Sequence, residues 1–135
     1  VAFPYKFALY SEFSEITYVE PGPAEFLTLI SKAKFIFTDS FHGTAFCINF
    51  NKQFYTFDRQ YGNNQSQTSR ITDILEMFNL SSRFVKDEKS FVDINSTIDY
   101  ERVNEILIEE RIKSEEYLLK SIEKVKDDCT KHRLK

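Results

Sequence analysis

Between Thr38 and Thr44 the chain reads Thr-Asp-Ser-Phe-His-Gly-Thr, which sets hydroxyls, a carboxylate, an imidazole and a glycine on consecutive positions. An apolar run precedes this stretch and another follows it, so the residues fall where a strand passes into the N-terminal end of a helix. Backbone N–H groups at such an end lack intrahelical acceptors, and the helix dipole presents its positive pole there. An anion such as phosphate or carboxylate is favoured at that place. Gly43, without a Cβ, permits close backbone approach. His42 is the one histidine outside the charged C-terminal stretch that holds His132. It suits either of two tasks: holding the anion as a cation, or exchanging a proton with it, because imidazole titrates near neutrality. The competing reading is an ordinary capping turn, with Asp39 or Ser40 as the N-cap and His42 merely satisfied. For Asp39, capping stands beside a second role, orienting His42 or taking a proton from an acceptor hydroxyl.

Two arginines flank the polar stretch after the next apolar run. Arg59 and Arg70 each carry a planar guanidinium that grips a carboxylate or phosphate through two parallel bonds, which a lysine cannot do, so either is a candidate to complete an anion site. Solvated surface charge is the alternative for both. Arg83 and Arg111 are weaker candidates of the same kind. Glu109, Glu110, Glu115 and Glu116 lie among basic neighbours at helical spacing and read as a solvated face, not as paired catalytic carboxylates. Cys47 and Cys129 stand in unrelated contexts, one in an apolar run and one in a charged tail, which matches neither a disulfide framework nor metal-ligand spacing; no metal site is expected.

The elements that must position these groups follow from periodicity. Residues 16–19, Ile-Thr-Tyr-Val, suit a strand, and Glu20-Pro21-Gly22-Pro23 ends it. Pro23 opens a helix with Phe26, Leu27, Ile30 and Ala33 on one stripe. Phe35-Ile36-Phe37-Thr38 is a strand covered on both faces. Thr44 to Phe50 is apolar almost all round, as in a buried helix, and Asn51-Lys52 closes it. Phe54 to Phe57 is the next strand. A helix capped by Ser69 follows, carrying Ile71, Ile74, Leu75 and Phe78 and ending at Asn79. Ser82 to Val85 is a short further strand, and Lys86 to Ile98 a connection with weak strand character near Phe91 and Val92. Asp99 caps a long final helix, with a break near its polar middle and a frayed end over residues 127–135. The many Phe residues fall at strand and helix spacing and belong to core packing.

Strands alternating with helices at short spacing give right-handed crossovers and a parallel sheet. The predicted fold is therefore α/β, a single Rossmann-like three-layer domain over residues 1–135, with helices on both sheet faces and a long C-terminal helix. Ligands in such folds bind beyond the carboxyl ends of the strands, where the 38–44 turn and the stretch after Phe57 both fall.

Composition sets the outer bounds. With 135 residues, 41% hydrophobic and 29% charged, the chain suits one globular core, and its absence of an initial Met fits a piece of a longer protein. A formal charge of −3 supplies no global positive field, so no nucleic-acid partner is expected and any anion requires a local site. No apolar stretch is long enough to span a bilayer, and the cysteine usage fits a reducing, cytoplasmic setting, with association to the inner face of a membrane through partners left open.

Ile30 through Phe46, with Ser40-Phe41-His42-Gly43 at its heart, closely resembles the central signature of the polysaccharide pyruvyl transferase family. The likeness continues through Asn51-Lys52-Gln53-Phe54, Ser69-Arg70-Ile71, Leu75 to Arg83 and Glu110 to Ser114, covering residues 16 to 119. Members of that family are longer and resemble two-domain GT-B glycosyltransferases, with a cleft between two Rossmann-like halves. The resemblance implies that this chain is the C-terminal half and lacks an N-terminal domain. It implies transfer of the pyruvyl group of phosphoenolpyruvate, a donor substrate and not a cofactor, onto two hydroxyls of a polysaccharide or lipid-linked oligosaccharide, forming a ketal and releasing phosphate. On this basis His42 serves donor binding or acid/base catalysis, with Ser40 and the Gly43 backbone as anion ligands. Tyr61, Asn63 and Asn64 become candidates for acceptor contact, against the alternative of a solvated loop. Two other functions stay open: a nucleotide-sugar glycosyltransferase domain of the GT-B type, for which the acidic ribose-binding residue after a Gly-rich turn is missing, and a non-catalytic α/β interaction domain.

Overall fold

A computed structural model describes residue 17 and residues 19–58, 68–86 and 95–133, with the backbone alone for residues 68 and 127–133. The elements are α1 (Pro23–Lys32), β1 (Phe35–Thr38), α2 (Phe41–Asn49), β2 (Gln53–Phe57), α3 (Thr68–Met77), a 3₁₀ turn (Ser81–Arg83), β3 (Phe84–Val85) and α4 (Tyr100–Arg133). Pro23 occupies the first turn of α1, where its missing N–H costs nothing. Both α2 and α3 end on an asparagine in the left-handed region, Asn51 at φ 54° and Asn79 at φ 57°. In each, the following amide reaches back five positions: Lys52 N–H to Cys47 O at 2.9 Å and Leu80 N–H to Leu75 O at 2.7 Å. Asparagine here takes the place usually held by glycine.

The sheet has strand order β1-β2-β3, all parallel, with Phe37 opposite Tyr55, Thr38 opposite Thr56, and Thr56 opposite Phe84. Both crossovers step the same way across the sheet. Right-handed connections therefore carry α2 and α3 to the same face. There Cys47, Ile48, Phe54, Ile71, Leu75, Phe78 and Phe84 form one buried cluster, with Ile36 against it. The opposite face presents Phe35, Phe37, Tyr55 and Phe57, with ring centroids 5.0 Å apart for Phe35–Phe37 and 6.0 Å for Phe37–Phe57. Phe37 remains 53% exposed. The second helical layer expected on that face, and with it the three-layer arrangement, is not present among the described residues. The uniform strand order puts both crossover helices, α2 and α3, on one side.

Three further points differ from the sequence reading. The strand expected over residues 16–19 lies partly outside the described residues, and Thr17 and Val19 carry no strand. The third helix begins at Thr68, so Ser69 lies within it instead of before it. The final helix has no break: α4 is continuous over 34 residues and takes in 127–133. Its capping by Asp99 is as read, with Oδ1 accepting from the Glu101 amide at 3.1 Å.

The start of α4 is tied to the sheet by side chains. Ile98 N–H donates to Gln53 Oε1 at 2.8 Å, and the Gln53 amide returns a longer bond to Ile98 O at 3.5 Å. The Tyr100 hydroxyl donates to Cys47 O and Lys52 O, two carbonyls at the C-terminal end of α2. Arg83 is only 4% exposed; its Nη2 donates to Ser96 O at 2.8 Å and its guanidinium lies 5.0 Å from the Tyr55 ring centre. Among the described residues its Nη1 has no hydrogen-bond partner. Burial pushes the Cys47 thiol up to about 12, partly offset by Lys52. The Tyr100 hydroxyl is raised as well, first by burial and then by Cys47, with Arg83 opposing.

Candidate active site

The turn after β1 is organised by its hydroxyls. Ser40 N–H donates to Thr38 Oγ1 at 3.1 Å, which bends the chain off the strand. Ser40 is the N-cap of α2: its backbone is extended and its Oγ accepts from the Gly43 amide at 3.3 Å. Ser40 O receives the Thr44 amide at 2.9 Å and the Thr44 hydroxyl at 3.0 Å. Thr44 Oγ1 also lies 3.3 Å from Thr56 Oγ1, and both threonines are fully buried, so the first turn of α2 is fixed to the end of β2. The capping role read for Asp39 as an alternative to Ser40 thus falls to Ser40, whose Oγ sits over the third helical amide. Asp39 is exposed beside it.

This arrangement leaves a defined set of donors. The amide of Gly43 is used by the cap, and Gly43 itself is buried, its close neighbour being the Thr38 side chain. Among the described residues, no group accepts from the amides of Phe41 and His42, the first two of the helix. The free donors that an anion would meet therefore belong to Phe41 and His42, with the Ser40 hydroxyl beside them as a further donor. His42 is exposed at this point, and its ring stands edge-on to Phe41 with centroids 5.7 Å apart.

Phe41 also meets the third element. The Arg70 guanidinium, in the first turn of α3, lies 5.7 Å from the Phe41 ring centre. The helix starts after β1 and β2 thus meet at one edge of the sheet. They bring Ser40, His42 and Arg70 around a single phenylalanine, in a cation–π geometry that orients the guanidinium. Phe41 was not singled out in the sequence, since its contact with Arg70 depends on how α3 packs beside α2. Thr44 and Thr56 were likewise unmarked; a threonine among apolar residues on each of two adjacent elements is the signal that a buried hydroxyl pair leaves.

The remaining candidates lie elsewhere. Arg83 is buried against Tyr55 and Ser96, and Arg111 donates to Asn49 Oδ1 at 2.8 Å at the far end of α2. Neither is at the edge that holds His42. Arg59, Tyr61, Asn63 and Asn64 lie outside the described residues, as do the side chains of Cys129 and His132. Glu110 pairs with Lys113 at 2.6 Å and Glu116 with Lys120 at 3.6 Å along the surface of α4.

A strand-to-helix edge with two free amides, a hydroxyl donor, an imidazole and a guanidinium can hold a carboxylate or phosphate and pass a proton to what it holds. Residues 1–61 match the family model for polysaccharide pyruvyl transferase. The match to this transferase family takes in α1, β1, α2, β2 and the whole 38–44 turn, and stops before Arg70. It agrees with the resemblance carried by Ser40-Phe41-His42-Gly43. No curated protein and no solved structure matches the chain. Among the described residues no helix is long and apolar enough to cross a membrane.

Proposed function

We propose that this chain carries the donor-binding part of a polysaccharide pyruvyl transferase that uses phosphoenolpyruvate. The observation that carries the reading is the family match over residues 1–61, which contains the turn where Ser40 and His42 stand at the open end of α2. In the reaction, two hydroxyl oxygens of a sugar bond to C2 of the donor and the C2–O bond to phosphate breaks. One hydroxyl proton ends on the former vinyl carbon, which becomes a methyl group, and the other leaves with phosphate. The donor brings a carboxylate and a phosphate, and both need fixed donors while charge moves. The amides of Phe41 and His42 and the Ser40 hydroxyl take one of these groups, Arg70 takes the other, and His42 exchanges the proton. The acceptor is a polysaccharide or lipid-linked oligosaccharide. The rest of its binding cleft belongs to a second domain in a GT-B-like pairing, and the chain works in the cytoplasm.

Substitution of His42 by Gln in the complete transferase tests this directly. The variant keeps a hydrogen-bond donor, loses the titrating ring, and stays folded because the side chain is exposed. Pyruvate incorporation is expected to fall about 10²-fold with the melting temperature unchanged. Near-normal turnover would remove His42 from the chemistry. In the 135-residue chain, phosphoenolpyruvate should shift the amide signals of Phe41 and His42 in an NMR titration, and a response to UDP-glucose alone would point to a nucleotide-sugar donor instead.

A further inference from the structure

The packed part of α4 ends early. Val103 is buried and Ile106 and Leu107 lean on the core, and the Arg111 bond to Asn49 comes after them. Beyond Arg111 every described side chain up to Lys126 is exposed, except the half-buried Ser121. That stretch is not polar throughout. Ile108, Ile112, Leu118, Leu119, Ile122 and Val125 are all exposed, and each is at least 43% accessible. Although six residues part Ile112 from Leu118, at about 100° per residue all six fall within roughly 140° of one side of the helix, broad enough for a partner helix to cover.

The charges along the same stretch say which partner fits. Residues 108–117 hold four acidic side chains (Glu109, Glu110, Glu115, Glu116) against two basic ones (Arg111, Lys113), a formal −2. Residues 118–126 hold three basic side chains (Lys120, Lys124, Lys126) against one acidic (Glu123), a formal +2. The helix is therefore its own electrostatic complement when reversed. A second copy laid antiparallel sets the acidic half over the basic half at both ends, whereas a parallel copy sets like against like. Such a pair closes on a two-fold axis with both stripes buried and nothing left over to grow a filament.

We propose that α4 pairs antiparallel with α4 of a second copy of this chain, through the stripe from Ile108 to Val125. The pair is independent of the site at the start of α2, which lies at the other end of that helix from the Asn49–Arg111 contact.

Sedimentation equilibrium on the 135-residue chain is expected to show a monomer–dimer equilibrium that weakens as salt is raised. The double variant Leu118→Glu, Ile122→Glu is expected to be monomeric and to melt where the dilute, dissociated native chain does, because both side chains are exposed in the single chain. Orientation is read by a spin label at Glu109→Cys in a Cys129→Ser background, the Cys47 thiol being buried and unreactive. An antiparallel pair centred near residue 117 separates the two labels by about 25 Å along the axis, at 1.5 Å per residue, against about 10 Å across a parallel pair. A chain that is monomeric at every concentration, a dimer that survives the double variant, or the short label distance would each overturn the proposal. So would a longer protein containing this chain that stays monomeric with its own other segments covering the stripe.

Discussion

A Cβ built on Gly43 would stand 2.4 Å from Thr38 Oγ1 and 3.2 Å from Thr38 Cβ. The Thr38 hydroxyl is held in place because it accepts the Ser40 amide, so it cannot swing away without releasing the turn. Gly43→Ala is therefore expected to cost about 1 to 3 kcal/mol, the usual range for forcing an extra methyl into a packed site. Adding Thr38→Ala should recover part of that loss. Chemical denaturation of the two variants checks this, and a single Gly43→Ala variant as stable as the native chain would show that the close approach is relaxed in solution. The same residues show how far a sequence carries at this scale. The helix start after the strand and the imidazole beside it were visible in Asp-Ser-Phe-His-Gly, whereas the choice of Ser40 over Asp39 as the cap and the exposure of His42 were not. The glycine's freedom was read as room for a ligand, whereas its near neighbour is a threonine five positions back. Phe41 went unremarked, since nothing local says that an arginine 29 positions later will lie over its ring.

Tyr100 joins two elements that the sequence places far apart. Its hydroxyl bonds to carbonyls of Cys47 and Lys52, so α4 closes the C-terminal end of α2 with a side chain from 48 and 53 positions away. Removing that donor takes a hydrogen bond from the Lys52 carbonyl and the second bond from the Cys47 carbonyl, which keeps the Lys52 amide, and Tyr100→Phe is expected to destabilise the fold by about 1 to 2 kcal/mol. A urea titration of the variant tests it; a loss below about 0.5 kcal/mol, the range of ordinary surface substitutions, would mean that water replaces the hydroxyl. Elements with strong local signals were legible: Pro23 opening α1, the four-residue run of β1, the all-round apolar α2, and the asparagines that end α2 and α3. Which helices share a face was not legible, because it depends on strand order, and the spacing of strands along the chain does not encode which edge each one joins. Among the described residues the three-layer expectation is not shown, on that point. The polar middle of α4 likewise looked like a break, yet ion pairs such as Glu110–Lys113 and Glu116–Lys120 are ordinary company for an exposed helix and interrupt nothing.

On the scale of the whole molecule, stability should respond to alkali. The Cys47 thiol, with an ordinary value of 9.0, titrates near 12 in the folded chain, and Tyr100 is raised in the same sense. Both groups stay neutral when folded while the unfolded chain begins to ionise near pH 9. Their contribution is thus whole below that pH and is lost as the pH rises towards the folded values. Urea midpoints are expected to hold from pH 7 to about 9 and then to fall, with Cys47→Ala removing part of the slope; a flat profile up to pH 11 would count against the burial of both groups. The anchoring of α4 has a mechanical side. Its fixed points are Tyr100, Val103 and the Arg111–Asn49 bond, all in its first third. From Arg111 to Arg133 the helix runs on for roughly 33 Å at 1.5 Å per residue. A tilt of only 10° at the root would carry the far end through about 6 Å. The chain thus has the proportions of a lever, in which side-chain adjustments around Tyr100 become displacements the size of a helix turn at the tip.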